Sequence, residues 1–275
     1  MVVAIVLSTI APTFALPNMN NAQSCDDSSK TDCTKTQSNP GELYPSISRR
    51  AFGSATTTGC GIAHVEGYSS NKDHLNLQSG GILRYYTIDV PVEYILDKTK
   101  PWPLILDFHG AGHTPQDQYN NSRYFTADRG KKYIVVYPQG RGNVWEGASY
   151  SIDGVDDLRF VADLLDHLRS TYCIDSDRIY ASGKSNGGGF VDLLACSDEG
   201  DNFAAFAMAS AALYSDDSFE NTKSGNCSKS RAILESHGGK DKITPYGGQS
   251  VRKGNGGATP GIQDWLGWWA RRDGC

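Results

Sequence analysis

Ser185 stands in Gly183-Lys184-Ser185-Asn186-Gly187, a serine with a glycine two residues to either side. That spacing suits nucleophilic acyl transfer. A hydroxyl on a sharp strand-to-helix turn meets an ester carbonyl, the glycines remove side chains that would strike neighbouring backbone, and the helix N-terminus stabilises a developing oxyanion. The plainer alternative is a glycine-rich turn whose serine caps a helix. Two further stretches suit the same chemistry. "DFHGAGH" at 107–113 is an apolar run ending in His-Gly; the N–H of Ala111, or of Gly110, is placed to join that of Asn186 around the oxygen of a tetrahedral intermediate, with His109 orienting the loop. Asp241 follows His237 by four residues and is the candidate acid, able to bond an imidazole N–H and fix its tautomer. Asp216 and Asp217 are less well placed alternatives.

These residues need a scaffold that brings loop ends together. "ILRYYTIDVP", "WPLILDFHG", "KKYIVVYPQG", "DRIYASG", "NFAAFAMAS" and "RAILESHGG" read as strands, several of them continuous apolar runs. Between them, 155–171 puts Leu158, Val161, Leu164, Leu165 and Leu168 on one helical face, with Asp156 and Asp157 in the first turn. Residues 186–196 predict a second helix and 261–272 a third, in which Trp265 and Trp269 share the face that packs inward. Buried strands alternating with amphipathic helices predict an α/β protein with a mostly parallel sheet covered on both faces. Ser185 then lies between strand 178–183 and helix 186–196, and Asp241 in the loop leaving strand 231–237.

The 275 residues allow one large domain, and the net charge of −5 leaves no basic stripe for nucleic acid. The apolar start "MVVAIVLSTIAPTFA" is too short to span a bilayer and reads as a secretory leader cut after Ala15, with a buried first strand as the competing reading. Residues 16–58 are polar and read as a spacer, in which Cys25 and Cys33 can close a small loop and Arg49-Arg50 is either a processing site or an exposed pair. The domain then runs over 59–275. Seven cysteines behind a leader point to disulfides in an oxidising compartment, and no spacing suggests a metal. Two sequons, at Asn120 and Asn226, fit secretion. The rise of the strand and the return of the helix bring Cys173 and Cys196 to the same end of the sheet, which predicts a bond between them. Trp145, Tyr119, Tyr124 and Tyr150 lie in loops after strands and are candidates to stack on a substrate ring.

In order along the chain, "YPQG", "VDDLRFVADLLDHLRSTYCIDSDRIYASGKSNGGGFVDLLAC", "ESHGGKDKITPYGG" and "WLGWWARRDGC" resemble secreted feruloyl esterases of the fungal type C/D group. That group is related to acetylxylan esterases and polyhydroxybutyrate-depolymerase-like esterases. The resemblance covers about Cys60 to Cys275. It implies an α/β-hydrolase fold, Ser185 as nucleophile, Asp241 as acid, the His109-Gly110 turn as oxyanion loop, and no cofactor. The implied substrate is a hydroxycinnamoyl ester on arabinose or galactose side chains of plant cell-wall polysaccharide. Acetylxylan is the alternative substrate, and a non-catalytic secreted wall-binding protein the alternative class. The histidine at Gly112-His113 departs from the family pattern at the mouth of the site.

In such hydrolases the histidine follows the acid. The six histidines here are at 64, 74, 109, 113, 167 and 237, and none follows Asp241. The resemblance puts it in a Gly-His-x-Trp-Pro segment after a further strand, downstream of Cys275. The expectation is therefore a C-terminally truncated product, with 231–237 as an unpaired sheet edge. Its rate would be nearly lost, because serine hydrolases stripped of one triad member retain only on the order of 10³–10⁴-fold over water. Recruitment of His113 or His237 is the remaining alternative.

Overall fold

In the computed structural model the described residues are 2–6, 57–70, 72–126, 132–214, 227–249 and 256–274. The chain divides into two units, Met1–Thr9 with Thr56–Cys275, and Ile10–Ala55; everything below concerns the first. The cut after Ala15, the loop between Cys25 and Cys33, Arg49-Arg50, and Asp216 and Asp217 lie outside the described residues.

The "WPLILDF" run forms β5 (Trp102–Phe108), and all seven residues are buried. It can be apolar at every position but Asp107 because both of its faces are covered, and the Asp107 carboxyl accepts from Gln118 Nε2 and Ser182 Oγ. Leu104, Leu106 and Phe108 point into the main core with Ile134, Val136, Leu164, Leu165 and Phe190. Ile105 points the other way, into a second core with Val135 and Tyr137 that Tyr68, Tyr119, Tyr124 and Tyr180 complete. On either side of β5 lie β6 (Ile134–Pro138) and β7 (Ile174–Lys184), both parallel to it. Two more parallel strands, β8 (Ala205–Ala209) and β9 (Ile233–His237), extend the sheet beyond β7. On the other flank β4 (Ile82–Val90) runs antiparallel to β6 and carries β2 (Gly67–Tyr68) and β3 (Leu75–Ser79). With β1 (Val2–Val6) at one end, the strand order is β1-β9-β8-β7-β5-β6-β4-β2, with β3 paired to β4.

The helices are α1 (Val92–Leu96), α2 (Pro115–Ser122), α3 (Asp157–Thr171), α4 (Asn186–Cys196) and α5 (Ile262–Arg272). The α3 helix starts at Asp157 because Asp156 serves as its cap, its side chain accepting from Arg159 N–H. Its buried face holds Phe160, Val161, Leu164, Leu165 and Leu168. Burying side chains of that size contributes roughly 1.5–3 kcal/mol each. Asp157 is also buried, where it pairs with Arg84 at 2.6 Å. This is the mostly parallel, helix-covered sheet of an α/β-hydrolase, and the carboxyl ends of β5, β7, β8 and β9 converge on one edge.

Two expectations are corrected. Cys173 bonds Cys60, and Cys196 bonds Cys227, so there is no Cys173–Cys196 bridge. The rise-and-return argument fixed height along the strand but not lateral position. Cys173 sits against β5, where its carbonyl accepts from Trp102 N–H, whereas α4 leans across towards β8. Nor is β9 an unpaired edge. Val2–Val6, within the stretch read as a leader, forms β1 and pairs antiparallel with β9, from Val2 opposite His237 to Val6 opposite Ile233.

Candidate active site

Ser185 lies between the last residue of β7 and the first of α4, with φ 53° and ψ −120°. A non-glycine residue at positive φ is strained, and the surrounding structure must hold it there. Three backbone bonds do so: Ser185 N–H donates to Ala209 O at 3.0 Å, while Ser185 O accepts from Gly189 N–H and Ala212 N–H, each at 2.9 Å. The glycines two residues either side are required by close approach. A Cβ on Gly183 would lie 2.5 Å from Gly187 O, and one on Gly187 would lie 2.3 Å from Phe108 O. These contacts bring α4, β7 and the end of β5 together, which is why the motif reads Gly-x-Ser-x-Gly.

After β5 the chain makes a tight turn in which His113 N–H donates to Gly110 O at 3.1 Å. Gly112, the third residue of the turn, has φ 76° and donates its N–H to Asn143 O at 2.8 Å. The N–H groups of Ala111 and of Asn186, the first residue of α4, have no backbone acceptor among the described residues. Two unengaged donors beside a serine at a helix N-terminus are what an oxyanion hole requires.

His109, fully buried, holds this loop. Its Nδ1–H donates to Gly110 O at 2.8 Å, and its Nε2 accepts from Gly140 N–H at 3.0 Å and from Gln139 Nε2 at 2.9 Å. Burial pushes its pKa down to about 4. With both ring nitrogens engaged and the ring neutral, His109 has no nitrogen for the serine.

The four aromatic candidates differ in their surroundings. Trp145 is fully buried, stacked on Phe190 and edge-on to Phe108. Its indole N–H donates to His109 O at 3.0 Å, and its backbone exchanges two hydrogen bonds with the Asn186 side chain. It supports the two loops rather than facing substrate, because its large apolar surface fills the space between β5 and α4. Tyr119 stacks on Tyr68 and Phe125 in the second core, on the far face of the sheet from Phe190. Tyr124 donates to Ser182 Oγ, and Tyr150 packs edge-on to Tyr214.

Asp241 is in the loop leaving β9. Its Oδ1 accepts from Ile243 N–H at 2.8 Å and Thr244 N–H at 3.0 Å, and its Oδ2 is 4.0 Å from His237 Nε2. Burial alone would raise its pKa, but those two N–H groups hold the carboxyl below its usual range. One participant was missed in the sequence, Glu235. It is buried, accepts from Ala211 N–H at 3.1 Å and from His237 Nδ1 at 2.8 Å, while His237 Nε2 donates to Thr244 O at 2.7 Å. Burial would lower the His237 pKa, yet the Glu235 and Thr244 bonds carry it above its ordinary value. Glu235 and His237 thus join the 209–212 segment that holds Ser185 to the loop that carries Asp241. The Glu-x-His spacing at a strand end, which places both on one face, was the available signal.

Behind α4, Asp192 is buried and its Oδ1 accepts from the indole N–H groups of Trp265 and Trp269, each at 3.1 Å. These bonds dock α5 on the helix that begins at the serine. Among the described residues no cluster of His, Cys, Asp or Glu is arranged to hold a metal ion, and no helix is long and apolar enough to cross a membrane.

The sequence model of the prolyl oligopeptidase family matches residues 115–245. A bifunctional acetylxylan esterase/xylanase of Neocallimastix patriciarum is 34% identical over 39% of this chain and 16% of its own length. Feruloyl esterase B of Piromyces equi is 27% identical over 64% of this chain and 33% of its own, and a probable feruloyl esterase C of Aspergillus niger is 27% identical over 64% and 63%. The chain therefore spans less than two thirds of each of these relatives. With its elbow at the edge of a mostly parallel sheet, it folds as an α/β-hydrolase and is similar in sequence to feruloyl and acetylxylan esterases.

Proposed function

We propose that this protein is a secreted serine carboxylesterase that hydrolyses feruloyl or related hydroxycinnamoyl esters on plant cell-wall polysaccharide. The observation that carries the reading is Ser185 at φ 53° on the β7–α4 turn, beside the unengaged N–H groups of Ala111 and Asn186. The serine Oγ attacks the ester carbonyl, and the carbonyl oxygen becomes an anion between those two donors. An alkoxide leaves, and water then cleaves the acyl-serine. Asp241 is the acid of the triad, anchored by Thr244 and Ile243 N–H groups. Similarity to feruloyl and acetylxylan esterases supports an ester of plant-wall carbohydrate as the substrate class, and the disulfides Cys60–Cys173 and Cys196–Cys227 support secretion into an oxidising compartment.

The test is turnover of methyl ferulate, acetylated xylan and an aminoacyl anilide by the purified chain and by Ser185→Ala. Slow, Ser185-dependent release of ferulate is expected. Preference for acetylated xylan would transfer the assignment to the acetyl ester. If Ser185 neither supports turnover nor reacts with a fluorophosphonate, the esterase reading fails and a non-catalytic wall-binding role takes its place.

A further inference from the structure

Beside the elbow lies a small recess lined by three segments: Glu146–Ala148 after β6, Ala212 and Tyr214 after β8, and the face of α4 that carries Asn186, Gly189 and Leu193. Both loop segments are bonded to the elbow itself. Asn186 Oδ1 accepts from Trp145 N–H at 2.8 Å and Asn186 Nδ2 donates to Trp145 O at 3.2 Å, which places Glu146 one residue from backbone that the nucleophile's neighbour holds. On the other side, Ala212 N–H donates to Ser185 O at 2.9 Å. The recess therefore adjoins the residues on which an ester must sit, and its volume of about 10 Å³ is the room of one water-sized group. A hydroxyl fits there and an aromatic ring does not.

Most of the lining is apolar. Ala148, Ala212 and Tyr214 form a cluster of their own with Tyr150, whose ring meets that of Tyr214 edge-on at 5.8 Å. Gly256 braces the cluster: its carbonyl accepts from Ser149 N–H at 2.9 Å, and a Cβ there would lie 2.5 Å from the Tyr214 ring. Glu146 is the exception. Its Oε2 accepts from Asp157 N–H at 2.9 Å while its own N–H donates to Asp157 Oδ2 at 2.9 Å, so the side chain is fixed against the start of α3. Its Oε1 has no partner among the described residues, because Arg84, the cation beside this pair, bonds Asp157 Oδ1 and Gln139 O instead. Burial pushes the Glu146 carboxyl up to about 7. A half-buried carboxyl with one oxygen unpartnered gains from a ligand that brings it a donor.

We propose that Glu146 determines specificity, its Oε1 accepting a hydrogen bond from a hydroxyl of the substrate that enters the recess beside Asn186. The proposal rests on the esterase reading and names the group on the ester that the site selects. Two parts of a hydroxycinnamoyl sugar ester carry such a donor, the phenol of the acyl group and the free hydroxyls of the sugar. The recognition chemistry is the same for both. A site built to bond a hydroxyl discriminates against the analogue that lacks it, because the protein oxygen is then removed from water and left unpaired. The apolar rim of Ala148, Ala212 and Tyr214 sharpens this by offering the hydroxyl no other side-chain acceptor than Glu146 and the Tyr214 phenol.

The experiment uses two pairs of esters. Methyl p-coumarate and methyl cinnamate differ only in the phenolic hydroxyl, and feruloyl arabinose differs from methyl ferulate in its sugar. KM and kcat are measured for the chain, Glu146→Ala and Glu146→Gln. Binding of the same esters to Ser185→Ala, with and without each Glu146 substitution, is titrated by NMR and needs no turnover. In Glu146→Ala, KM and Kd for the hydroxyl-bearing member of one pair should rise roughly tenfold, with kcat and the other member unchanged. Glu146→Gln keeps an acceptor for Asp157 N–H and should lose less, and thermal melts verify that both variants are folded. A change confined to the coumarate–cinnamate pair assigns the hydroxyl to the acyl group, and one confined to the arabinose pair assigns it to the sugar. Equal losses on both members of each pair show a structural role for Glu146 and overturn the proposal. So does a parent chain with no preference for the hydroxyl-bearing esters, or a preference that survives in Glu146→Ala. If Ser185 supports neither turnover nor fluorophosphonate labelling while the Glu146-dependent binding preference remains, the esterase reading falls and the hydroxyl site stands.

Discussion

Replacing Gly187 with alanine is the sharpest perturbation of the elbow. The new Cβ would stand 2.3 Å from Phe108 O and 2.5 Å from His109 O, where carbon and oxygen ordinarily approach to about 3.3 Å. Both obstacles are backbone, so no rotamer change relieves them, and β5 and α4 must separate by about 1 Å. The separation falls between the two elements that carry the proposed oxyanion donors, Ala111 after β5 and Asn186 at the start of α4. A misplacement of about 1 Å costs on the order of 10²-fold in rate, equivalent to about 2.7 kcal/mol. Forcing a methyl into packed structure costs a further 1–3 kcal/mol of stability, in round terms about 2. The assay is the rate at which a fluorophosphonate modifies Ser185, measured beside a thermal melt. Gly239→Ala is the control: no atom lies within 4 Å of its Cβ, and its stability should change by no more than about 0.5 kcal/mol. A Gly187→Ala protein that melts normally and reacts at the parental rate would refute the argument that this glycine sets the oxyanion geometry.

Asp192→Ala leaves two buried indole N–H donors without an acceptor, and at about 1–3 kcal/mol each urea unfolding should show a loss of several kcal/mol, whereas Asp192→Asn keeps an oxygen acceptor and loses less. Peptide mapping without reduction should recover Cys60–Cys173 and Cys196–Cys227; opening the latter, whose cysteines are 31 residues apart, should cost about 3–4 kcal/mol of loop-closure entropy. Burial raises the carboxyls of Asp107 and Asp192 to about 6 and that of Glu146 to about 7. A native carboxyl that keeps its proton above its unfolded pKa favours folding at low pH, and that contribution is lost as pH rises from about 4 to about 7. His237, raised above its ordinary value, stabilises below its unfolded pKa and loses that contribution as pH rises through the raised one. His109, held down to about 4, works the other way and adds stability as pH rises towards its unfolded pKa near 6.5. Thermal melts should therefore show Tm falling to about pH 6.5 more gently than the carboxyls alone would give and falling further above it, and a Tm that rises from pH 6.5 to pH 8 would contradict these assignments.

The elements that repeat a local rule were readable without coordinates. The helix expected over 186–196 is Asn186–Cys196, because glycine demand at the elbow marks its start. The strand expected over 178–183 begins earlier, at Ile174, since a register shift lets Ile174 pair with Trp102 before the main ladder resumes. Ser185 lies on the turn between β7 and α4 where its spacing placed it. Side-chain roles were less legible. Trp145 has the composition of a substrate platform, but its ring is internal, and Tyr119 turns to the opposite face of the sheet.

By itself the sequence determined the alternation of buried strands and amphipathic helices, the glycine-framed serine, and the polar loops at the strand ends. These follow from periodicity and from backbone contacts between near neighbours in the chain. Only the tertiary structure decided which cysteines meet, that β1 lies along β9, and that Glu235 and His237 join the 209–212 segment holding Ser185 to the loop of Asp241. Each depends on the lateral placement of segments distant in the chain or on a turn's direction in space, and residue type and spacing carry no record of either.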